Sequence, residues 1–317
     1  MFKFVLRIFF IIFTFTLIWY GASRLGSDGN AVTSYTLRSM QTEKNASKRD
    51  YLHVAAFNIA HGRGAQLGAS NWQGRSLAED KKHLDKIATT LKDLDLDVAV
   101  LNEVDFAAAW SNQINQAKYI AEKAGFKHVL EQRNIDVGLP FFNFKFGNAI
   151  LSKHPITDTH HLKFDAYSTL ENIVAGNHNG AAAVIDSPQG QITVVAVHLE
   201  SRSAVRRLSA AKQILRFSEK FSHSTIALGD FNSAPISHTR ATTDEEGNNA
   251  ISYLLDNTVF ASDRRIKDQQ RYFTFPASEP NRVIDWILAN RDFNVTNIKI
   301  DNTGLSDHLL ISAKLRN

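Results

Sequence analysis

The segment LGDFN at residues 228–232 places a carboxylate, Asp230, and a carboxamide, Asn232, two residues apart. The apolar residues 225–227 before it predict a buried strand, and side chains two apart on an extended segment point the same way. Asp230 could hold a water beside a metal ion, and Asn232 could donate to a phosphoryl oxygen. Gly, Asp and Asn also form turns, so the segment alone is equally compatible with an ordinary turn.

Other apolar runs also present polar residues, mostly where the predicted strand ends. The runs at residues 51–57, 97–102 and 191–197 are each followed by Asn, Glu or His, and two later runs carry Asp and His. The residues are Asn58, Glu103, His198, Asp285, Asp307 and His308. Chemistry-bearing side chains thus recur at predicted strand ends across most of the chain.

The order of these motifs resembles the endonuclease/exonuclease/phosphatase superfamily, the DNase I-like metal-dependent phosphoesterases. The matching positions are Asn58, Glu103, the segment GNAILS that contains Asn148, His198, Asp230 with Asn232, Asp285, and Asp307 with His308. They span about residues 51 to 315. The resemblance implies an α+β fold, a DNase I-like four-layer α/β sandwich with two stacked mixed β-sheets flanked by helices. The site would lie at one edge, where strand ends of both halves meet.

The resemblance also implies a metal site and a set of catalytic side chains. Glu103, Asn58 and Asp307 would hold the metal. The chain has no cysteine, so any metal must be bound by oxygen or imidazole. Oxygen-rich sites suit Mg²⁺ or Mn²⁺, and Ca²⁺ is possible.

The catalytic roles would be divided among five side chains that match the family motifs. Asp230 would orient or deprotonate the attacking water, and Asn232 would hold the phosphate. His308 would be a general base or a phosphate-binding cation, oriented by Asp285. His198 would contact the phosphate or protonate the leaving oxygen.

Three further positions modify this interpretation. Asn148 would lie near the phosphate or support the first histidine, or would only cap a strand. Asp105 stands where DNase-like nucleases often place an Arg, which weakens a nuclease assignment. The segment 103–105 and residues 58–64 look more like the corresponding segments of the sphingomyelinase-like phosphodiesterases. His61, three residues after Asn58, has no assigned role.

The amino terminus predicts export. Lys3 and Arg7 precede an apolar stretch over residues 8–20, which favours a signal peptide or an uncleaved signal anchor over residues 1–22. Residues 23–50 are polar and are expected to be a linker with too little apolar content to pack. Residues 51–317 form the predicted catalytic domain. The protein would then be secreted, or membrane-anchored and facing the outside or the periplasm.

Periodicity predicts the elements that must position these residues. Helices are expected near residues 77–94, 112–124 and 203–221, and strands near 51–57, 97–102, 128–131, 148–151, 181–186, 191–198, 225–228, 282–288, 295–300 and 308–315. Residues 154–180 are expected to be irregular. With 44% hydrophobic residues in 317, the chain can bury one large core.

The charge balance bears on the substrate. The net charge is +4, but residues 1–50 contain seven Lys or Arg and three acids, which leaves 29 charges of each sign in residues 51–317. The basic footprint of a nucleic-acid-binding domain is absent from that balance.

The expected function is metal-dependent hydrolysis of a phosphodiester, most simply a lipid headgroup, by a monomer tethered to the membrane through its leader. The aromatic run PFFNFKF at residues 140–146 alternates too loosely for a simple strand and suits a lipid substrate. The alternatives are a secreted or periplasmic DNase I-like nuclease, with nucleic acid as partner, a non-catalytic binding protein on the same fold and, with no basic cluster to favour it, an inositol-phosphate phosphatase.

Overall fold

A computed structural model describes residues 2–25, 31–38, 49–139, 142–168, 178–257, 260–262, 270–290 and 293–316. Its helices are α1 (Phe2–Leu25), α2 (Leu77–Asp93), α3 (Gln116–Ala124), α4 (Ala204–Ser218) and α5 (Ala250–Asp256). The first seven strands are β1 (Val32–Thr36), β2 (Leu52–Asn58), β3 (Val98–Asp105), β4 (His128–Leu139), β5 (Phe142–Ser152), β6 (Ile156–Leu162) and β7 (Gly180–Ser187). The remaining six are β8 (Gly190–His198), β9 (Thr225–Asp230), β10 (Phe260–Ala261), β11 (Asp285–Asn290), β12 (Asn294–Asp301) and β13 (Leu310–Arg316).

These strands form two mixed sheets. The first has seven strands in the order β1-β4-β5-β3-β2-β13-β12, and the second has six in the order β10-β11-β9-β8-β7-β6. Each sheet contains one parallel pair at its centre, β2 with β3 and β8 with β9. Parallel neighbours end at the same edge of their sheet, so both pairs bring their carboxyl ends together there.

The sheets pack face to face over a shared apolar core. Val54 and Val100 of the first sheet belong to the same buried cluster as Val194, Ile226 and Ile287 of the second. The outer face of the first sheet packs against α2 and α3, and that of the second against α4 and α5. The predicted α+β fold of two stacked mixed sheets flanked by helices is confirmed.

The predicted helix ends lie close to the observed ones, and one predicted helix start differs from the observed start. Helix α2 begins at a capping box in which the Ser76 side chain accepts from the Glu79 amide and the Glu79 carboxylate accepts from Ser76. Helix α3 ends at Gly125, whose φ of +90° fits the expected glycine cap. It starts four residues later than predicted, after Asn115, because residues 109–111 form a separate short 3₁₀ turn.

Three segments differ from the expectations. Residues 32–36, within the expected linker, form β1 and pair with β4 because β-branched and aromatic residues there supply an edge strand. Residues 156–162, expected to be irregular, form β6 along β7. The aromatic run is part of β5 rather than a non-strand segment. Residue 141 and the side chain of residue 142 lie outside the described part.

Helix α1 is long and apolar enough to cross a membrane. Residues Phe2–Gly21 have a mean hydropathy of 2.0 over the 20-residue span, and none of it is buried against the rest of the protein. A signal sequence near the amino terminus has the same properties, so both predicted fates of the leader remain compatible with this helix.

Candidate active site

Strand register brings the predicted catalytic residues to one edge. In the second sheet, Asp230 at the end of β9 is paired with His198 of β8 and with Asp285 of β11. In the first sheet, Asn58 at the end of β2 is paired with Asn102 of β3. The strand ends of the two sheets meet through side-chain contacts, since Asn58 Nδ2 lies 3.3 Å from Asp230 Oδ2 and Asn102 Oδ1 accepts the Asp230 backbone N–H at 3.0 Å.

Asp230 lies at the centre of this edge. Its Oδ1 accepts the backbone N–H of Asn232 at 2.8 Å, and its Oδ2 lies 3.3 Å from Asn58 Nδ2. The same Oδ2 is 3.7 Å from His308 Nε2 and 3.8 Å from His198 Nε2. Burial, together with the nearby Asp285 carboxylate, raises the pKa of Asp230. A carboxyl with a raised pKa is suited to accepting a proton near neutral pH.

Gly229 allows this close approach of strands. Its φ is +135°, and a Cβ there would lie 2.0 Å from the Val197 carbonyl oxygen and 2.9 Å from Asn102 Oδ1. Any side chain would push β9 away from β8 and from Asn102, which accepts the Asp230 backbone N–H at 3.0 Å. The glycine of the LGDFN segment is thus required by packing at the edge of the site.

His308 is held by a carboxylate. Its Nδ1 lies 3.0 Å and 3.2 Å from the two oxygens of Asp285, and both residues are buried. Burial acts to lower the pKa of His308, but Asp285 and then Asp230 outweigh it and raise the pKa to about 10. His308 is therefore a cation at neutral pH, with Nε2 directed toward Asp230. The ligand atoms of Asp230, Asp285 and His308 lie within 4.8 Å of one another, but a protonated His308 has no free lone pair to offer a metal ion.

His198 is also buried but has a different environment. Its Nδ1 has no hydrogen-bond partner among the described residues, and its ring meets that of His178 edge-on at 4.7 Å. Burial, followed by the neighbouring His178, lowers the pKa of His198 to about 3. His198 is therefore a neutral imidazole at pH 7.

Glu103 and Asp307 face one cationic group. The guanidinium of Arg63 places its Nη2 3.8 Å from Glu103 Oε2 and 3.5 Å from Asp307 Oδ2. Asn58 donates from Nδ2 to Glu103 Oε1 at 3.1 Å, while its Oδ1 accepts the Ala60 backbone N–H. Burial acts to raise the pKa of Glu103, but His61 and the bond from Asn58 contribute to lowering it to about 2.

The oxygen donors of Glu103 and Asp307 are of the chemical type that binds divalent cations. Two carboxylates that face a shared positive group are hard oxygen ligands of the kind that Mg²⁺ and Mn²⁺ prefer. Asn58 contributes differently from the expectation, because its amide nitrogen ties Glu103 to Asp230 and its oxygen is occupied by a backbone group. Its place as a direct metal ligand stays a prediction.

Asn232 and Asn148 lie in unlike surroundings. Asn232, with a φ of +48°, donates from Nδ2 to the Leu199 carbonyl and is partly exposed beside Asp230. Asn148 is fully buried, and its amide is bonded to Asn102, Gln132 and the backbone of Asn179. The proposed phosphate contact from Asn148 has no support in this geometry, because both ends of its side chain are already used inside the protein.

Asn102 is a site residue that the sequence analysis did not select. Its Nδ2 donates to Asn148 Oδ1 at 2.8 Å and to the Val197 carbonyl at 3.0 Å, and its Oδ1 accepts from Asp230. It therefore joins β3 of the first sheet to β8 and β9 of the second. The signal was present, since Asn102 directly precedes Glu103 and is an amide at the end of an apolar run.

A second histidine–carboxylate pair lies on the first sheet. His61 Nδ1 is 2.7 Å from Asp105 Oδ1, and its Nε2 is 3.6 Å from Glu103 Oε2. Neither His61 nor Asp105 is among the site residues predicted from the sequence. Both lie two or three residues after a predicted metal ligand, which is the signal that could have found them.

Backbone strain is concentrated here. Ala60, His61, Glu103 and Asn232 have φ between +48° and +54°, a region that costs energy for residues with a side chain. Strained positions of this kind persist where the surrounding structure holds them and cluster at functional sites.

Comparison with known proteins agrees with this geometry. The family model described as "Endonuclease/Exonuclease/phosphatase family" matches residues 55–308. The chain belongs to the endonuclease/exonuclease/phosphatase family. Among curated proteins, none matches it by sequence.

Several solved structures share the fold of this protein. An endonuclease/exonuclease/phosphatase from Beutenbergia cavernae is 20% identical with a TM-score of 0.58, covering 84% of this chain and 72% of the other. The mannosyl-6-phosphatase of Bacteroides thetaiotaomicron is 15% identical with a TM-score of 0.60, covering 84% and 100%. The human nocturnin catalytic domain with bound sulfate is 16% identical with a TM-score of 0.56, covering 90% and 97%. At these identities the likeness shows the fold alone. Members of the family act as hydrolases on phosphoesters and typically use divalent metals.

Proposed function

We propose that the protein is a divalent-metal-dependent phosphodiesterase that hydrolyses a lipid headgroup at a membrane surface. The observation that carries the proposal is the convergence of Asp230, His198 and His308 on one point, beside the acidic pair Glu103 and Asp307. Hydrolysis of a phosphodiester needs an oriented water, neutralised phosphoryl charge and a stabilised leaving group, and this edge carries a side chain for each.

The residues divide the work as follows. Asp230 orients the attacking water and accepts its proton, since its pKa is raised by burial. His308, protonated and fixed by Asp285, offers positive charge from Nε2 to the phosphoryl oxygens. Neutral His198 donates a hydrogen bond toward the same group.

A divalent cation would be held by Glu103 and Asp307, and would supply charge neutralisation at the phosphoryl group. Asn232 donates one N–H of Nδ2 to the Leu199 carbonyl, and its second N–H would donate to the phosphate. Arg63, near both carboxylates, is a further positive group for the substrate anion.

The lipid substrate is favoured by an aromatic cluster beside the site, formed by Trp72, Trp110, Phe144 and Phe146. Trp110 contacts Phe144 at 4.9 Å and Trp72 at 5.7 Å between ring centroids, and Trp72 is 58% exposed. Exposed aromatic rings are typical of surfaces that meet the membrane interface. Strand β5, which carries Phe144 and Phe146, is paired with β4, and α1 approaches β4.

Metal dependence is tested with the full-length protein in detergent. Glu103→Gln should abolish most of the hydrolysis of a soluble phosphodiester, because it removes a carboxylate that faces the cation position. Asp230→Asn should do the same through loss of the proton acceptor. Glu122→Gln, which changes an exposed acid on α3 that pairs with Lys118, is the matched control and should keep the wild-type rate. Full turnover in excess chelator would contradict the proposal.

Substrate class is tested with a lipid phosphodiester in mixed micelles, a soluble diester with the same headgroup, supercoiled plasmid and a sugar monophosphate. The proposal expects the micellar lipid to be hydrolysed fastest, because a tethered enzyme meets it at high local concentration. A truncated chain for comparison should begin before residue 31, since a start at residue 51 would remove β1. Faster cleavage of plasmid than of any lipid would replace the lipid assignment by the nuclease alternative.

A further inference from the structure

The chain enters the first sheet at the edge that carries the candidate site. Strand β1 begins at Val32, which is paired with Gln132 of β4, and Gln132 is paired with Asn148 of β5. Asn148 Oδ1 accepts from Asn102 Nδ2 at 2.8 Å, so this row of residues leads to the site at the end of β3. From this entry row β1 runs away from the site, because its last residue, Thr36, is level with the first residue of β3.

The connection between α1 and β1 is short. Helix α1 ends at Leu25, and Ala31, the residue before β1, already accepts the Arg133 backbone N–H at 2.8 Å. Six residue steps separate Leu25 from Ala31. A fully extended chain spans at most roughly 3.5 Å per step, so this leash reaches about 20 Å. When α1 lies in a bilayer, the entry row is therefore held within about 20 Å of the outer end of that helix.

Strands β4 and β5 continue past the entry row as a projecting hairpin, residues 134–139 and 142–147. The six residues of β5 beyond Asn148 extend about 20 Å at the usual rise of a strand, which is as long as the leash. Cross-strand pairing continues along it, with Ile135 opposite Phe146 and Val137 opposite Phe144. The hairpin is thus a paired structure that projects on the side from which the chain arrives from α1.

The projecting hairpin carries part of the aromatic cluster. Phe144 lies 4.9 Å from Trp110 and 6.0 Å from Trp72 between ring centroids. Leu67, in the same loop as Trp72, is 52% exposed. Tryptophan is enriched at the level of lipid headgroups, because its ring is apolar and its N–H needs a polar partner. An exposed apolar surface of this composition fits the interfacial layer of a bilayer.

We infer that the projecting hairpin and the loop carrying Trp72 rest on the bilayer that holds α1, so that the site faces lipids of the protein's own membrane. The inference rests on the proposed lipid hydrolase and adds which membrane supplies the substrate. The leash commits the surface to this occupant, because it ends at the site edge and is no longer than the hairpin. Lipids of a second membrane lie beyond its reach.

Single-cysteine spin labels test the contact without turnover, since the chain has no native cysteine. The full-length protein is labelled after Asn143→Cys on the hairpin and reconstituted into liposomes of phosphatidylcholine and phosphatidylglycerol. Asp93→Cys, an exposed position at the end of α2 near the start of β3, is the control. The label at position 143 should collide more often with oxygen, which concentrates in lipid, than with a water-soluble nickel complex. The label at position 93 should show the reverse.

Trp72→Cys supplies a second reporter on an exposed loop, should Asn143→Cys fail to fold. Collision ratios at positions 143 and 72 equal to the ratio at position 93 would overturn the inference. A label at position 143 that is shielded from both reagents would also overturn it. In that case another protein surface, such as a second copy of the chain, would cover the hairpin instead of lipid.

Turnover tests which membrane supplies the substrate. A lipid phosphodiester is placed either in the liposomes that carry the full-length protein or in a second population of liposomes without it. Hydrolysis in the same liposomes should be faster by roughly 10²-fold or more, because the tether raises the local concentration. Equal rates on the two populations would contradict the inference.

Exposed apolar residues provide a matched pair of variants. Trp72→Ala should lose more of the hydrolysis in liposomes than of the hydrolysis of a soluble diester, whereas Val205→Ala, on α4, should lose neither. Equal losses on both substrates in Trp72→Ala would count against the bilayer contact. If no lipid diester is hydrolysed in either population while the label at position 143 reports lipid, the proposed substrate class is wrong and the bilayer contact stands.

Discussion

His308 and His198 approach the same oxygen, Asp230 Oδ2, at 3.7 Å and 3.8 Å. Yet His308 is protonated at neutral pH, whereas His198 is neutral. Both are buried, which by itself favours the neutral ring. Asp285 behind His308 acts against that preference, and the pKa of His308 rises to about 10. His198 has another imidazole, His178, beside it instead of a carboxylate, and its pKa falls to about 3. The carboxylates around His308, Asp285 first and then Asp230, therefore make it the permanent cation of the site.

The largest expected effect comes from removing that carboxylate or the ring it holds. Asp285→Asn and His308→Gln should each lower kcat by about 10²–10⁴-fold, the range for a positioned acid–base or charge-bearing group. The double variant should lose little more, because the two residues act as a unit. The measurement is kcat on a soluble phosphodiester. Asp186→Asn, an exposed acid on β7, is the control.

Wild-type rates in both single variants, with cooperative melting, would show that the His308–Asp285 pair is not part of the site. A loss of folding in either single variant would leave the double variant to decide, because it removes both charges of the buried pair together.

His198 should matter less than His308. As a neutral ring it offers one ordinary hydrogen bond, so His198→Gln, which keeps an N–H, should lower kcat by roughly tenfold or less, the size of one neutral hydrogen bond. The check is the ratio of the kcat losses in His198→Gln and His308→Gln, measured at the same pH. Equal losses would mean that the two histidines share one role and that their different surroundings do not divide the work.

The sequence predicted both bounds of most strands to within about three residues, but it ended β4 at residue 131 instead of Leu139 and began β5 at residue 148 instead of Phe142. Asp230, His198 and Glu103 were found because each follows a buried apolar run, and such runs are visible in the letters. The strand β1 was missed because an edge strand needs only backbone pairing, which polar residues such as Thr33 can provide. Strand β6 was missed for the same reason, since its exposed positions carry polar residues.

The supporting residues of the site were not predictable in the same way. Asn102 and Asn148 have their function in contacts between the two sheets, and no spacing in the chain shows which strands face each other. His61 and Asp105 are 44 residues apart and meet only because β2 and β3 are parallel neighbours. The order of the motifs implies how the strands are arranged. It does not show which residues of neighbouring strands lie opposite each other.

The two histidines should also leave opposite marks on folding stability. His308 has a folded pKa above the unfolded value of about 6.5, so its contribution is complete below that value and is lost as the pH rises toward about 10. His198 has a folded pKa below the unfolded value, so its contribution is present above about 6.5 and is lost as the pH falls toward about 3. Each slope should be about 1.4 kcal/mol per pH unit.

The measurement is the free energy of unfolding against pH in chelator, for the wild type and both Gln variants. His308→Gln should flatten the alkaline limb only, and His198→Gln the acid limb only. If each variant changed the acid and the alkaline limb of the stability curve alike, the two histidines would not differ in protonation state as inferred.

The smallest expected effect tests the neighbour of His198. His178→Gln replaces the second imidazole, which meets the His198 ring edge-on at 4.7 Å, by a neutral side chain. The pKa of His198 should rise, because a nearby group of like charge no longer opposes its protonation, but by less than about one unit since burial is the larger cause. Ring resonances of His198 followed by NMR against pH would measure the shift, with His154→Gln as the control. A rise that brought His198 near its ordinary value would mean that His178, rather than burial, keeps this ring neutral.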